Sequence, residues 1–141
     1  MRQALLTISC ALSLWGCGAP EPWAVEDPRE VARYFLSAAH SQRGELMWKV
    51  LDPSSQRLLE ERAAAINKKT TGEAVTPQRL LTSAGFAAPY QVKKIDLVEP
   101  SSPEEALRVG RARLSIQTQL ESTWPLEMIR AEGTWRVVLT P

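Results

Sequence analysis

Apolar residues recur every three or four positions through the first half of the chain and every second position near its end, so helices are expected to precede strands. Asp27-Pro28-Arg29-Glu30 supplies an N-cap acceptor, a proline in the first helical position and a glutamate three residues after the cap. Val31, Phe35 and Ala38, flanked by Tyr34 and Ala39, then give one apolar helical face through about His40. Ser41 to Gly44 break the period, and Glu45 to Leu51 form a second short helix that stops at Asp52-Pro53. The same Asp-Pro device starts a third helix, Ser54 to about Lys69. Leu58, Leu59, Ala63 and Ile66 are expected inward, with Glu60, Glu61, Arg62, Lys68 and Lys69 outward. Thr76-Pro77-Gln78-Arg79 signals a fourth, carrying Leu80 and Leu81 and closing at Gly85.

After Pro89 the period falls from 3.6 to 2. Tyr90 to Glu99 reads as a strand, and Pro100-Ser101-Ser102-Pro103 as the turn or loop that follows it. Arg108 to Leu120 alternates clearly, with Ala112, Leu114, Ile116, Thr118 and Leu120 on one side. Thr123 to Arg130 is a further strand, in which Pro125 favours an edge or bulged position. Glu132-Gly133 turns the chain into a last strand, Thr134 to Leu139. The expected fold is α+β, with N-terminal helices packed on one face of a curved antiparallel sheet.

The first residues read differently. Ala4 to Trp15 is apolar for only twelve residues, too short to cross about 30 Å of hydrocarbon as a helix, and follows the single positive charge of Arg2. Leu14-Trp15-Gly16-Cys17 resembles the bacterial lipoprotein signal, in which cleavage before the cysteine leaves it as a lipidated N-terminus. That resemblance divides the chain into a signal peptide (1–16), the lipidated Cys17 with a tether (17–27), and a domain (28–141). It implies a diacylglycerol- and palmitate-carrying protein of the bacterial cell envelope. Gly18, rather than Asp, after the cysteine implies the outer membrane. An ordinary secretory signal, or a short apolar helix kept in the fold, are the alternative readings.

Removing the 16 residues before Cys17 from the 141 leaves 125, with 16 basic and 16 acidic side chains. A balanced, interspersed charge provides no field to gather nucleic acid, and no nucleic-acid partner is expected. Cys10 leaves with the signal and Cys17 carries lipid, so thiol chemistry, a Cys-ligated metal and a disulfide framework are not expected.

The helix Val31 to Ala39, the following Gln42-Arg43-Gly44-Glu45-Leu46 and the terminal Arg130-Ala131-Glu132-Gly133-Thr134-Trp135-Arg136-Val137 resemble the NTF2-like superfamily. Within it, they are similar to small bacterial lipoprotein domains of the lumazine-binding-like group. The resemblance implies a cone-shaped fold with a cavity between sheet and helices, where relatives bind small molecules, catalyse isomerisation or dehydration, or pair with protein partners. It licenses no single activity.

Catalysis in such a cavity needs an acid or base tuned by burial. His40 is the sole histidine, which removes two-histidine metal sites and relays; at a helix end it also suits a solvated, dipole-complementing role. Asp96, within a strand, is the candidate base, although an outer sheet face would hold it equally well. Tyr34 and Tyr90 are candidate hydroxyl donors that also fit the edge of a packed core. Trp48, Trp124 and Trp135 are core anchors and candidate pocket walls. Ser54-Ser55 read as cap residues, and Arg108, Arg111 and Arg113 as a modest basic group. No cofactor or metal is expected. The leading expectation is a noncatalytic, lipid-anchored domain binding a small ligand or protein partner. The alternatives are an isomerase-like or dehydratase-like enzyme and an assembly protein forming a homodimer through its sheet.

Overall fold

The computed structural model describes residues 23–83 and 91–140. Four helices come first: α1 (Pro28–His40), α2 (Gly44–Lys49), α3 (Pro53–Asn67) and α4 (Pro77–Ser83). Strands β1 (Val92–Glu99), β2 (Arg111–Thr118), β3 (Thr123–Ala131) and β4 (Thr134–Val138) follow, with a fifth helix, α5 (Pro103–Val109), between the first two.

The starts of α1, α3 and α5 each have a local cause. The Asp27 carboxylate accepts the Arg29 backbone N–H at 2.9 Å, while the Arg29 guanidinium folds back onto the same carboxylate at 2.6 Å. The α1 face carrying Val31, Ala32, Phe35, Leu36, Ala38 and Ala39 is buried. At its end Gln42 takes a left-handed φ of 54°, letting the N–H groups of Gln42 and Arg43 close onto the carbonyls of Ala39 and Ala38. The chain then turns directly into α2. Gly44 lies so close to α4 that a Cβ there would run into the Gln78 carbonyl.

Asp52 caps α3, accepting from the N–H groups of Ser54 and Ser55 at 3.0 and 3.2 Å and from both serine hydroxyls. In α3, Leu59 and Ala63 are buried, whereas Leu58 and Ile66 are half-buried. Asn67 then clamps the backbone of Val75 through both its amide groups, at 2.8 and 3.0 Å, and so returns the chain to α4. The expected closure of α4 at Gly85 lies outside the described residues.

Where a loop and the start of a strand were expected, the structure has α5. Ser102 accepts the Glu105 N–H at 3.2 Å, Pro103 opens the helix, and Gly110 ends it at φ 73°. The strand read from Arg108 therefore begins at Arg111. Ser102-Pro103-Glu104-Glu105 is the same device as Asp27-Pro28-Arg29-Glu30, but the helix behind it has only seven residues.

The sheet is an antiparallel meander of order β1-β2-β3-β4. In the centre of the sheet Ile95, Ile116 and Trp124 lie side by side, as do Leu97, Leu114 and Leu126, all toward the helices. The opposite face carries Asp96, Arg113, Ser115, Gln117 and Glu127, with Ile129 and Val138 among them, all half-buried or exposed. Glu132 and Gly133 both take positive φ, 53° and 78°, giving the two-residue turn into β4. Pro125 lies on inner strand β3, but at a point opposite Ser115 that extends past the end of β4, so only β2 neighbours it.

This arrangement corrects the expected NTF2-like cone. The sheet is open, with β1 and β4 at opposite ends and unpaired with each other. Four strands of five to nine residues, each turned by about 20–25° from the next, make a twisted layer rather than a closing wall. The outer edge of β4 is instead taken by the link between α2 and α3. Leu51 lies parallel to Val137; the Val137 N–H donates to Val50 at 2.7 Å and the Asp52 N–H to Val137 at 2.9 Å. Bulges on either side of Ile95 and the exposed Lys93 and Lys94 blunt the free edge at β1.

Between helices and sheet lies a packed core built around Phe35, Met47, Leu51, Leu59, Leu81, Leu114, Ile116, Met128 and Trp135.

Candidate functional site

A concave surface opens at the edge of the fold, where the second half of α1 crosses the start of β1. Arg33, Leu36, Ser37 and His40 fall at helical spacings of three and four, and so share one stripe of α1. Gln91, Val92 and Ile95 supply the opposite wall of a cleft of about 290 Å³. Leu36 and Ile95, only 3% and 9% exposed, belong to the core and form its floor together with the half-buried Val92.

The rim is polar. Gln91 is held by two contacts across the strand ends: its carbonyl accepts the Gln119 N–H at 3.1 Å, and its side-chain oxygen accepts the Gln119 amide at 2.9 Å. Arg33 is exposed and ion-paired with Glu30 one turn earlier. His40 ends α1 and is exposed. Among the described lining residues none is acidic. The cleft can therefore take a small molecule with an apolar body and a hydrogen-bonding head.

The residues singled out for chemistry lie elsewhere. Asp96 follows Ile95 and so points to the opposite face of the sheet, where its carboxylate is 47% exposed and accepts from Lys94 Nζ at 2.8 Å. Tyr34 is half-buried against Trp23, their rings 5.5 Å apart and tilted by 59°. Tyr90 and Cys17 lie outside the described residues. Trp135 is fully buried, and Trp48 and Trp124 pack half-buried against the core; none of the three lines the cleft.

Of the three arginines singled out as a basic group, Arg113 on β2 and Arg108 on α5 are ion-paired. Arg113 donates to Glu127 at 2.6 Å and faces Glu99 at 3.7 Å, and these carboxylates hold its pKa above the usual guanidinium value. Arg108 is paired with Glu105 at 3.6 Å. Among the described residues no three His, Cys, Asp or Glu side chains gather as a metal site would require. No described helix is long and apolar enough to cross a membrane.

Of the seven lining residues, only His40 stood out in the sequence, through its scarcity. The stripe Arg33-Leu36-Ser37-His40 is mixed in polarity, so it reads as the border of the apolar face rather than as a site. Its partners 91–95 come from a strand whose placement against α1 no local pattern encodes. No family model, no curated protein and no solved structure matches the chain.

Proposed function

We propose that this chain is a noncatalytic, lipid-anchored cell-envelope domain that binds a small amphipathic ligand in the cleft between α1 and β1. The observation that carries the reading is the division of that cleft into an apolar floor and a polar rim, with no carboxylate among the described lining residues. Its volume, about 290 Å³, falls just below the ~300–1,000 Å³ typical of small-molecule sites, which fits a compact ligand. Asp96 and Tyr34, two of the three candidate acid–base groups, stand outside the cleft, and the third, Tyr90, lies outside the described residues. Leu14-Trp15-Gly16-Cys17 supports lipidation at Cys17, and Gly18 the outer membrane.

Native mass spectrometry of the full chain purified from membranes tests the binding. A ligand adduct on the wild type that is lost in Ser37→Trp supports the cleft, because Ser37 is exposed and a bulky ring there obstructs the mouth rather than the core. The same adduct on both proteins, or none on either, overturns it. Incorporation of labelled palmitate into wild type but not into Cys17→Ala tests the anchor.

A further inference from the structure

The chain is already part of the fold at Trp23, before α1 begins. Trp23 and Val25 pack against the core, and the Trp135 indole N–H donates to the Glu26 carbonyl at 2.7 Å, pinning this segment to β4. Only residues 18–22 separate Trp23 from Cys17. Six Cα steps at about 3.3–3.6 Å reach roughly 20 Å when fully extended. A lipid on Cys17 therefore keeps the face around Trp23 within about that distance of the bilayer.

That face carries the side chains suited to such a boundary. Trp23 leans on Tyr34, and Lys49 Nζ lies over the Trp23 ring at 5.6 Å from its centroid. The Arg136 guanidinium donates to the Lys49 carbonyl, bringing a second cation alongside. Both rings are half-buried and Lys49 is exposed. Aromatic rings with one apolar and one polar end settle at the headgroup level of a membrane, and nearby cations favour its anionic lipids.

We infer that the Trp23-Tyr34-Lys49 face is a membrane-docking surface, on which the domain rests against the phospholipid bilayer that holds its anchor. The inference depends on the lipidation reading. Its occupant follows from the short leash between Cys17 and Trp23 together with the aromatic and cationic chemistry at the leash's end. Docking would fix the orientation of the domain rather than leave it swinging on a tether.

The test uses the full chain purified from cells fed labelled palmitate. The protein is reconstituted into phosphatidylethanolamine–phosphatidylglycerol vesicles containing lipids brominated close to the headgroup. Bromine quenches tryptophan at contact range. Wild-type fluorescence should be quenched, Trp23→Phe should lose that quenched component while keeping a docking ring, and Lys49→Glu, at an exposed position, should weaken the quenching. Palmitate-bearing wild type and Trp23→Phe that quench alike, or a Lys49→Glu variant that quenches like wild type, would overturn the docking surface while leaving the anchor standing. Absence of palmitate from the wild type would remove the anchor and the docking surface together.

Discussion

Trp135 and Glu26, 109 residues apart in sequence, are joined by a 2.7 Å hydrogen bond from the indole N–H to the backbone carbonyl. The contact ties the segment entering α1 to the last strand, and it gives the buried indole the one partner it needs. Trp135 is fully buried while Glu26 is exposed, so the bond is made at the margin of the core.

Trp135→Phe removes the donor and part of the ring volume. The Glu26 carbonyl loses its partner, and a void opens beneath α1. Together these should cost about 1–3 kcal/mol, chiefly from the cavity, because Glu26 lies at the surface where water can take the place of the indole. Urea unfolding monitored by far-ultraviolet circular dichroism measures the loss. A midpoint equal to that of wild type would show that the contact contributes nothing to stability.

Ser55 performs a similar task at the other end of β4. Its hydroxyl donates to Asp52 and accepts the Leu139 N–H at 2.8 Å, and both Ser55 and Asp52 are 2% exposed. Ser55→Ala leaves a buried N–H and a carboxylate oxygen each short of one partner, with an expected cost of about 1–3 kcal/mol. Ser54 binds the same carboxylate from an exposed position, where water can replace its hydroxyl, so Ser54→Ala should cost clearly less. Equal losses in the two variants, measured by the same unfolding experiment, would contradict the role given to Ser55.

The helix starts at Asp27 and Asp52 were legible because a cap, a proline and the apolar face behind it are all local. The turn at Glu132-Gly133 was legible for the same reason. The device at Ser102-Pro103 was equally local, but the seven residues of α5 run directly into the alternation of β2, and the longer signal masked the shorter one. Sheet closure is a different kind of property. Alternation along a strand shows which side chains face inward, not which neighbour takes the edge, and nothing in the sequence around Val137 reveals that Leu51 occupies it. The cleft was hidden for a related reason: Arg33, Ser37, Gln91 and Val92 acquire a shared meaning only when α1 crosses β1.

Asp27 makes the stability of the α1 start depend on pH. The Arg29 guanidinium hydrogen-bonded to its carboxylate is the main cause that holds the Asp27 pKa below its ordinary value of 3.8, against an opposing effect of burial. A carboxylate whose pKa is lower in the folded than in the unfolded chain contributes stability that is fully present above the unfolded value. That contribution fades as pH falls through the folded one. Asp27→Ala should therefore cost about 0.5–2 kcal/mol at neutral pH, the usual range for a lost N-cap. The gap between wild type and variant should narrow once the pH drops below about 3.8. Asp27→Asn keeps a cap acceptor but has no charge to offer Arg29, so its stability relative to Asp27→Ala should stay constant across the same range. Unfolding midpoints of the three proteins between pH 7 and pH 3 provide the comparison, and a wild-type advantage that grows on acidification would reverse the sign assigned to Asp27.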